Sequence, residues 1–313
     1  MKRLHVAAGV IRRGDGHVLI ARRPLDKHQG GLWEFPGGKV EAGETAEAAL
    51  ARELAEELGI AVAASRPLIQ VSYDYPDKQV LLDVWEVLGF SGEAYGAEGQ
   101  TLAWVDPEDL PSYSFPPANR PIVTAARLPN HYLITPDHLA PREMLDGLAL
   151  ALDAGVRLIQ LRAPSLDDAD YRSLATKVSN MCLGRAKVML KGPLEWADEF
   201  PEAGWHLTVQ QLRQHAGQGR PLVPGRWLAA SCHDAAEMGM ASTLDVDFIT
   251  VSPILRTATH PEAQPLGWRR AAELLSGFGQ PAYLLGGLGP NDLAQALRVG
   301  AQGVAAIRAL WPQ

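Results

Sequence analysis

Eight short apolar runs recur after residue 130: YLIT, RLIQLR, KVMLK, GWHLT, WLAASC, FITVS, AYLLGG and GVAAIRA. Helix-like stretches such as REMLDGLALALDAG and PNDLAQALRVG separate most of them. Short apolar runs alternating with helical segments favour parallel strands joined by crossover helices. Eight such units over residues 131–313 predict a compact parallel (β/α)8 TIM barrel, with a doubly wound sheet as the alternative.

The 313-residue chain is long enough for about two domains. The boundary is expected within residues 126–135, ARLPNHYLIT, where Pro129 and Asn130 end the helix-like PANRPIVTAARL. This places one domain at residues 1–128 and the other at 131–313. The first part is mixed α/β. Its strand-like segments are LHVAAGVIRR, HVLIARR, LIQVSYDY and QVLLDVWEVL. Its strong helix is ETAEAALARELAEELG, stopped by Gly59.

Composition narrows the function classes. With 47% hydrophobic and 21% charged residues, the chain is neither disordered nor a disulfide scaffold. No apolar run reaches the ~18 residues of a membrane span, and the N-terminus lacks the apolar core of a signal peptide. Only Cys182 and Cys232 are present, so a cytoplasmic setting is expected. Net charge is −7, which argues against gripping a nucleic acid polymer. Up to position 130 there are 13 basic and 18 acidic residues, against 16 and 18 afterwards. The acid excess therefore lies in the first part, where the chemistry is expected.

The excess centres on GKVEAGETAEAALARELAEELGI, residues 38–60. Glu53, Glu56 and Glu57 are spaced i, i+3 and i+4, so they share one helix face. Like charges this close repel unless something neutralises them. A divalent cation with a taste for hard oxygen ligands, Mg²⁺ or Mn²⁺, would do so. Just upstream, FPGGK supplies flexible glycines whose backbone can approach a metal or phosphate closely.

Gly38, five residues, Glu44, seven residues, and Arg52-Glu53-Leu54-Ala55-Glu56-Glu57-Leu58-Gly59-Ile60 fill every slot of the Nudix box. The segment resembles the Nudix hydrolases, which implies an α/β/α sandwich and metal-dependent cleavage of a nucleoside diphosphate linked to another group. By that resemblance Glu53, Glu56 and Glu57 are metal ligands, with the backbone carbonyl of Gly37 or Gly38. Arg52 orients Glu53, and Glu44 holds the loop against the helix.

VAAGVIRR, ARRPLDKH, EFPGGK, EGQ at 98–100 and FPPAN at 115–119 extend the match across residues 1–127. Together they resemble the MutT-type 8-oxo-dGTP diphosphatases. The resemblance implies that Arg23, His28, Glu34, Phe35, Pro36, Gly37 and Asn119 surround a nucleoside triphosphate. An Asn amide both donates and accepts, as the edge of an oxidised guanine requires. Arg23 offers fixed donors to a carbonyl or phosphate. Trp33 and Gln79 depart from the pattern at positions expected to border the base. The implied reaction is attack of water on phosphorus, releasing monophosphate and pyrophosphate, with Glu53 as base or Glu98 as the alternative.

HYLIT, DAGVRLIQLR, GWHLT, SCHDAAE, DFITVSPILRTATH and YLLGGLGPNDLAQALRVGAQGVAAI resemble thiamine phosphate synthases and their TenI-like relatives. The implied phosphate site comprises Gly286, Gly287, Ala306 and Ile307, with Gln160 and Arg162 facing a pyrimidine or pyrophosphate. The ionic parts of a synthase site depart from that pattern. Ala163-Pro164 stand in place of an acid and a lysine, and Lys191-Gly192 in place of a metal-bearing Asn-Asp pair. The second acid is absent from Thr208–Leu212, and Thr257-Ala258-Thr259-His260 replaces Thr-x-Thr-Lys. Synthase activity is therefore not expected. The alternatives are a bifunctional enzyme, or a barrel that senses a ligand and regulates. The barrel's ligand is open. His206, His233, His260 and Cys232 read as structural residues.

Overall fold

A computed structural model describes residues 3–25, 29–257 and 262–312. Two compact units emerge: Met1–Leu128 with Ser276–Gln280, and Pro129–Leu275 with Pro281–Gln313.

The first unit contains β1 (Leu4–Ile11), β2 (Val18–Arg22), β3 (Trp33–Glu34), β4 (Gly37–Lys39), α1 (Ala46–Leu58), β5 (Ala61–Asp74), β6 (Gln79–Ser91), β7 (Leu102–Val105) and α2 (Arg120–Arg127). One sheet runs β4-β1-β6-β5, with β1 parallel to β6 and the other pairs antiparallel. A smaller antiparallel sheet runs β3-β2-β7. Period-two alternation along β1 splits its side chains between two cores. Ala7 and Ile11 pack with Leu50, Leu54 and Leu58 of α1, whereas Ala8 and Val10 pack with Ile122, Val123 and Ala126 of α2. The result is the expected α/β/α sandwich.

Helix α1 begins where the Thr45 side chain accepts from the Ala48 N–H, and ends at Gly59 with φ 68°. That left-handed residue closes the helix as the sequence predicts. A part-buried ion cluster ties β6 to β5 and to Arg12, the residue after β1. Glu86 accepts from Arg12 Nε at 2.6 Å and from Arg66 Nε at 2.8 Å.

The second unit is a closed, wholly parallel barrel: β8 (His131–Ile134), β9 (Leu158–Leu161), β10 (Lys187–Leu190), β11 (Gly204–Leu207), β12 (Leu228–Cys232), β13 (Phe248–Val251), β14 (Ala282–Leu285) and β15 (Gly303–Ala306). Pairing of β15 with β8 closes the ring and excludes the doubly wound sheet. The helices are α3 (Pro141–Asp153), α4 (Asp168–Cys182), α5 (Val209–His215), α6 (Ala235–Thr243), α7 (Gly267–Leu275) and α8 (Leu293–Arg298). Tyr132, Phe248, Tyr283 and His206 fill the barrel interior, their rings 5.4–6.4 Å apart. Cys182 and Cys232 are both buried, and burial pushes their thiols up to about 11 and about 12. Among the described residues no helix is long and apolar enough to cross a membrane.

Candidate active site and barrel cavity

The acidic face of α1 meets β4. Gly38 sits against Glu53 so closely that an added Cβ would overlap its carboxylate, and the Gly37 N–H lies 3.3 Å from Glu57 Oε2. Arg52 binds Glu44 with two prongs and reaches Glu53 Oε1 at 2.8 Å and Glu56 Oε2 at 3.4 Å. It also donates to the Lys39 carbonyl at 3.0 Å, fastening the helix to β4.

The EGQ loop is hung from the end of the same helix. Gln100 Nε2 donates to the Glu57 carbonyl at 2.9 Å, and its Oε1 accepts from the Glu98 N–H at 2.9 Å. Glu98 itself is exposed. Burial, then repulsion from Glu34, Glu53 and Glu98, raises Glu57 to about 7 despite the Gly37 hydrogen bond. Burial also raises Glu34, opposed by the Arg23 guanidinium that pairs with it.

Among the described residues no three His, Cys, Asp or Glu side chains are gathered as a ready metal cage. Arg52 engages both Glu53 and Glu56, which holds those carboxylates as ion-pair partners. The donor set still fits a hard cation. It is all oxygen, it carries uncompensated negative charge around Glu57, and its glycine strand leaves room for close backbone approach.

A cleft adjoins this acidic end, lined by Arg23, Glu34, Phe35, Gly37, Gly38 and Asn119 among others. Asn119 ends a short 3-10 turn and precedes α2, yet its side chain makes no capping hydrogen bond. The amide is thereby left to the cleft. Phe35 stacks on Phe115, ring centroids 5.4 Å apart, and presents little surface.

Several expectations need correction. The FPGGK glycines are not flexible: they form β4, and Gly37 is held at φ 147° against the Ala7 carbonyl. Pro36 is buried and does not line the cleft; its carbonyl accepts from the Gly9 N–H at 2.8 Å. Neither Trp33 nor Gln79 borders the cleft, because Trp33 packs edge-on against Tyr113 and Gln79 starts β6. His28 lies outside the described residues. Tyr75 and Lys78, from the β5–β6 turn, line the cleft but are not singled out by sequence. The Pro-Asp turn between two strands in YDYPDKQ was the available signal.

The barrel holds a cavity of about 390 Å³, lined in part by Gln160, Arg162, Lys191, Ser231, Gly286 and Ile307. Gly287 and Ala306 do not line it. Gly287 packs on Leu255 and the Arg256 carbonyl, and Ala306 is buried at the end of β15. No lining residue among those described is acidic. Thr259 and His260 lie outside the described residues.

The first unit thus lays an acid-faced helix over a glycine strand beside a cleft, and the second is an eight-stranded barrel. The NUDIX domain family matches residues 7–125, and the thiamine monophosphate synthase family matches residues 131–310. The chain belongs to both families, as a Nudix hydrolase of MutT kinship followed by a thiamine phosphate synthase/TenI-type barrel. It is 42% identical over 123 residues to an 8-oxo-dGTP diphosphatase of Escherichia coli (strain K12), covering 39% of this chain and 95% of that one. A CTP pyrophosphohydrolase of the same organism is 40% identical, covering 40% and 92%. A putative thiamine-phosphate synthase 2 of Aquifex aeolicus (strain VF5) is 30% identical over 181 residues, covering 58% and 96%.

Proposed function

We propose that this Nudix hydrolase acts on oxidised purine nucleoside triphosphates, 8-oxo-dGTP above all, releasing monophosphate and pyrophosphate. Such a reaction would clear damaged precursors before DNA synthesis. The observation that carries this reading is Asn119. Its uncommitted amide shares one cleft with Arg23 and with the Gly37–Gly38 strand that abuts Glu53 and Glu57. A two-sided amide suits the two-sided edge of an oxidised guanine.

Glu53, Glu56 and Glu57, with the carbonyl of Gly37 or Gly38, would hold Mg²⁺ or Mn²⁺. When bound, such a cation neutralises phosphate charge and makes water more acidic. Arg52 fixes the Glu53 carboxylate, which accepts the proton as water oxygen bonds to phosphorus. Glu98, carried by the Gln100 tether, is the alternative base. The bond from phosphorus to the pyrophosphate oxygen breaks as the new one forms. Arg23, already paired with Glu34, lines the same cleft and orients the nucleotide there.

We further propose that residues 1–128 form a complete catalytic domain, that residues 131–313 form a separate thiamine phosphate synthase/TenI-like barrel domain, and that the barrel performs no thiamine phosphate synthesis. With no acid among its described lining residues, the cavity gives a metal-bound pyrophosphate leaving group no support.

The test is a substrate panel with Mg²⁺: 8-oxo-dGTP, the ordinary triphosphates including CTP, thiamine diphosphate analogues and ADP-ribose. Preferential pyrophosphate release from 8-oxo-dGTP is expected. Preference for CTP would replace the substrate assignment, and no hydrolysis of any would end it.

A further inference from the structure

Among the described residues, the barrel cavity faces one cation that the chain leaves without a counter-ion. Lys191 follows β10 at the strand's C-terminal end, where its backbone N–H donates to the Tyr171 hydroxyl at 3.0 Å. The next carbonyl, of Gly192, accepts from Gln211 Nε2 at 2.8 Å and from Trp205 Nε1 at 3.2 Å. These bonds fix the backbone from which the Lys191 side chain reaches the cavity. Lys191 Nζ donates to Ser231 Oγ at 3.3 Å and has no other partner among the described residues. An ammonium carries three donors, so two are left for a ligand. Burial first, and the Arg162 charge second, lower Lys191 to about 8, so the ammonium still predominates at neutral pH.

The other charges around the cavity are balanced within the chain. Arg162 Nη1 donates to the Asp137 carboxylate at 2.7 Å. The Glu237 carboxylate accepts from Arg213 Nη2 at 2.8 Å and from the His233 backbone N–H at 2.7 Å, with His233 Nδ1 3.0 Å away. His206 is fully buried, and burial followed by repulsion from Lys191 pushes it well below the usual histidine range, so it adds no charge. With Asp137 set against Arg162 and Glu237 against Arg213, the Lys191 charge is the one left over among the described lining residues. Holding a charge away from water without a partner is unfavourable, and an anionic ligand offsets that cost.

The remaining lining narrows the kind of anion. Ile134, Val209, Pro253, Leu285 and Ile307 supply an apolar wall. One unpaired positive charge beside such a wall matches a monoanion with a hydrocarbon body, whereas a phosphate dianion would call for a second unpaired cation. A divalent cation does not fit, because no described lining residue is acidic and the ammonium repels it. The cavity's 390 Å³ lies at the small end of the ~300–1,000 Å³ range of ligand pockets, so the ligand is small.

We propose that the barrel cavity binds a small monocarboxylate with an apolar body, the Lys191 ammonium serving as its counter-ion and no metal ion taking part. Neither Lys191 nor the apolar wall belongs to the nucleotide cleft, so this site stands apart from the hydrolase reading.

The experiment titrates the full chain at pH 7 in EDTA with acetate, butanoate, hexanoate, hexanamide or inorganic pyrophosphate, following each by ligand-observed NMR. Hexanoate should bind at least about tenfold more tightly than acetate, since each fully buried methylene is worth a factor of about four. Hexanamide, which keeps the chain and lacks the charge, should bind at least about tenfold more weakly than hexanoate. Replacing EDTA by Mg²⁺ should leave the hexanoate Kd unchanged. Lys191→Met should weaken hexanoate at least about tenfold without lowering Tm or slowing nucleotide hydrolysis, since an apolar side chain removes an unpaired charge. Lys191→Gln carries the same test if Lys191→Met does not fold. Absence of hexanoate binding overturns the proposal, as does equal affinity for hexanoate and hexanamide. Full hexanoate affinity in a folded Lys191 variant does the same. Binding that requires Mg²⁺ overturns the metal-free part. Pyrophosphate binding more tightly than hexanoate in EDTA overturns the carboxylate class, and equal affinity for acetate and hexanoate overturns the apolar body.

Discussion

Nε and Nη2 of Arg52 each lie 3.0 Å from a different carboxylate oxygen of Glu44, a two-pronged ion pair between α1 and the loop before it. A planar guanidinium makes such a pair and an ammonium cannot. The remaining Arg52 nitrogen is thereby aimed at Glu53. Arg52→Lys should therefore lower kcat on the order of tenfold or more, the usual cost of losing a supporting contact at a metal site. Steady-state kinetics check this, and unchanged kcat would remove Arg52 from the site.

Glu53→Gln and Glu57→Gln each delete charge from the proposed cation site while keeping the side chain's shape. Each should leave circular dichroism unchanged and cut kcat by ~10² or more. Normal turnover in both would refute the carboxylate assignment.

The two glycines of β4 should respond differently. A Cβ at Gly37 would strike the Ala7 carbonyl of the neighbouring strand, and φ 147° disfavours any side chain. Gly37→Ala should thus lower Tm. At Gly38 the three atoms nearest the added Cβ all belong to the Glu53 carboxylate, the far end of a side chain that can swing away. Gly38→Ala should keep most of the stability and lose activity, so melting curves and kinetics on the pair separate the two effects.

Glu86 gives stability a pH dependence. Burial alone would raise its pKa, but the Arg12 hydrogen bond and the charges of Arg12 and Arg66 outweigh it, and the net shift is downward. A carboxylate lowered on folding contributes fully above its unfolded value of about 4.3, and that contribution is lost as pH falls through the folded value. Glu86→Gln should cost roughly 2–4 kcal/mol at neutral pH. Denaturant titrations should show the gap between wild type and variant shrinking below about pH 4. A gap that stays constant down to acid would rule out the ion pairs as its source.

Both hydrophobic clusters of the first unit are built from residues between Ala7 and Ala126. A chain ending at Leu128 should therefore fold and retain most of its nucleotide hydrolysis. A folded but inactive fragment would mean that residues beyond 128 complete the site.

Much of this was legible in sequence because it rests on local chemistry. Helix α1, its stop at Gly59 and the shared face of Glu53, Glu56 and Glu57 follow from spacing along a helix. The eight barrel strands follow from apolar runs of strand length. Closure of the barrel required the pairing of β15 with β8, residues some 170 positions apart, as Ala306 and Leu133 are. The same holds for the cleft. The family resemblance could propose Asn119 for it, but only packing removed Pro36 and Trp33 and brought in Tyr75 and Lys78. Lys191 shows the division most sharply. In the sequence it reads as a lysine standing where metal-bearing residues are missing. Its contact with Ser231, at the end of a buried line of polar side chains through Gln160, Tyr132 and His206, joins residues of four different strands, because hydrogen-bond partners are neighbours in space and not neighbours along the chain.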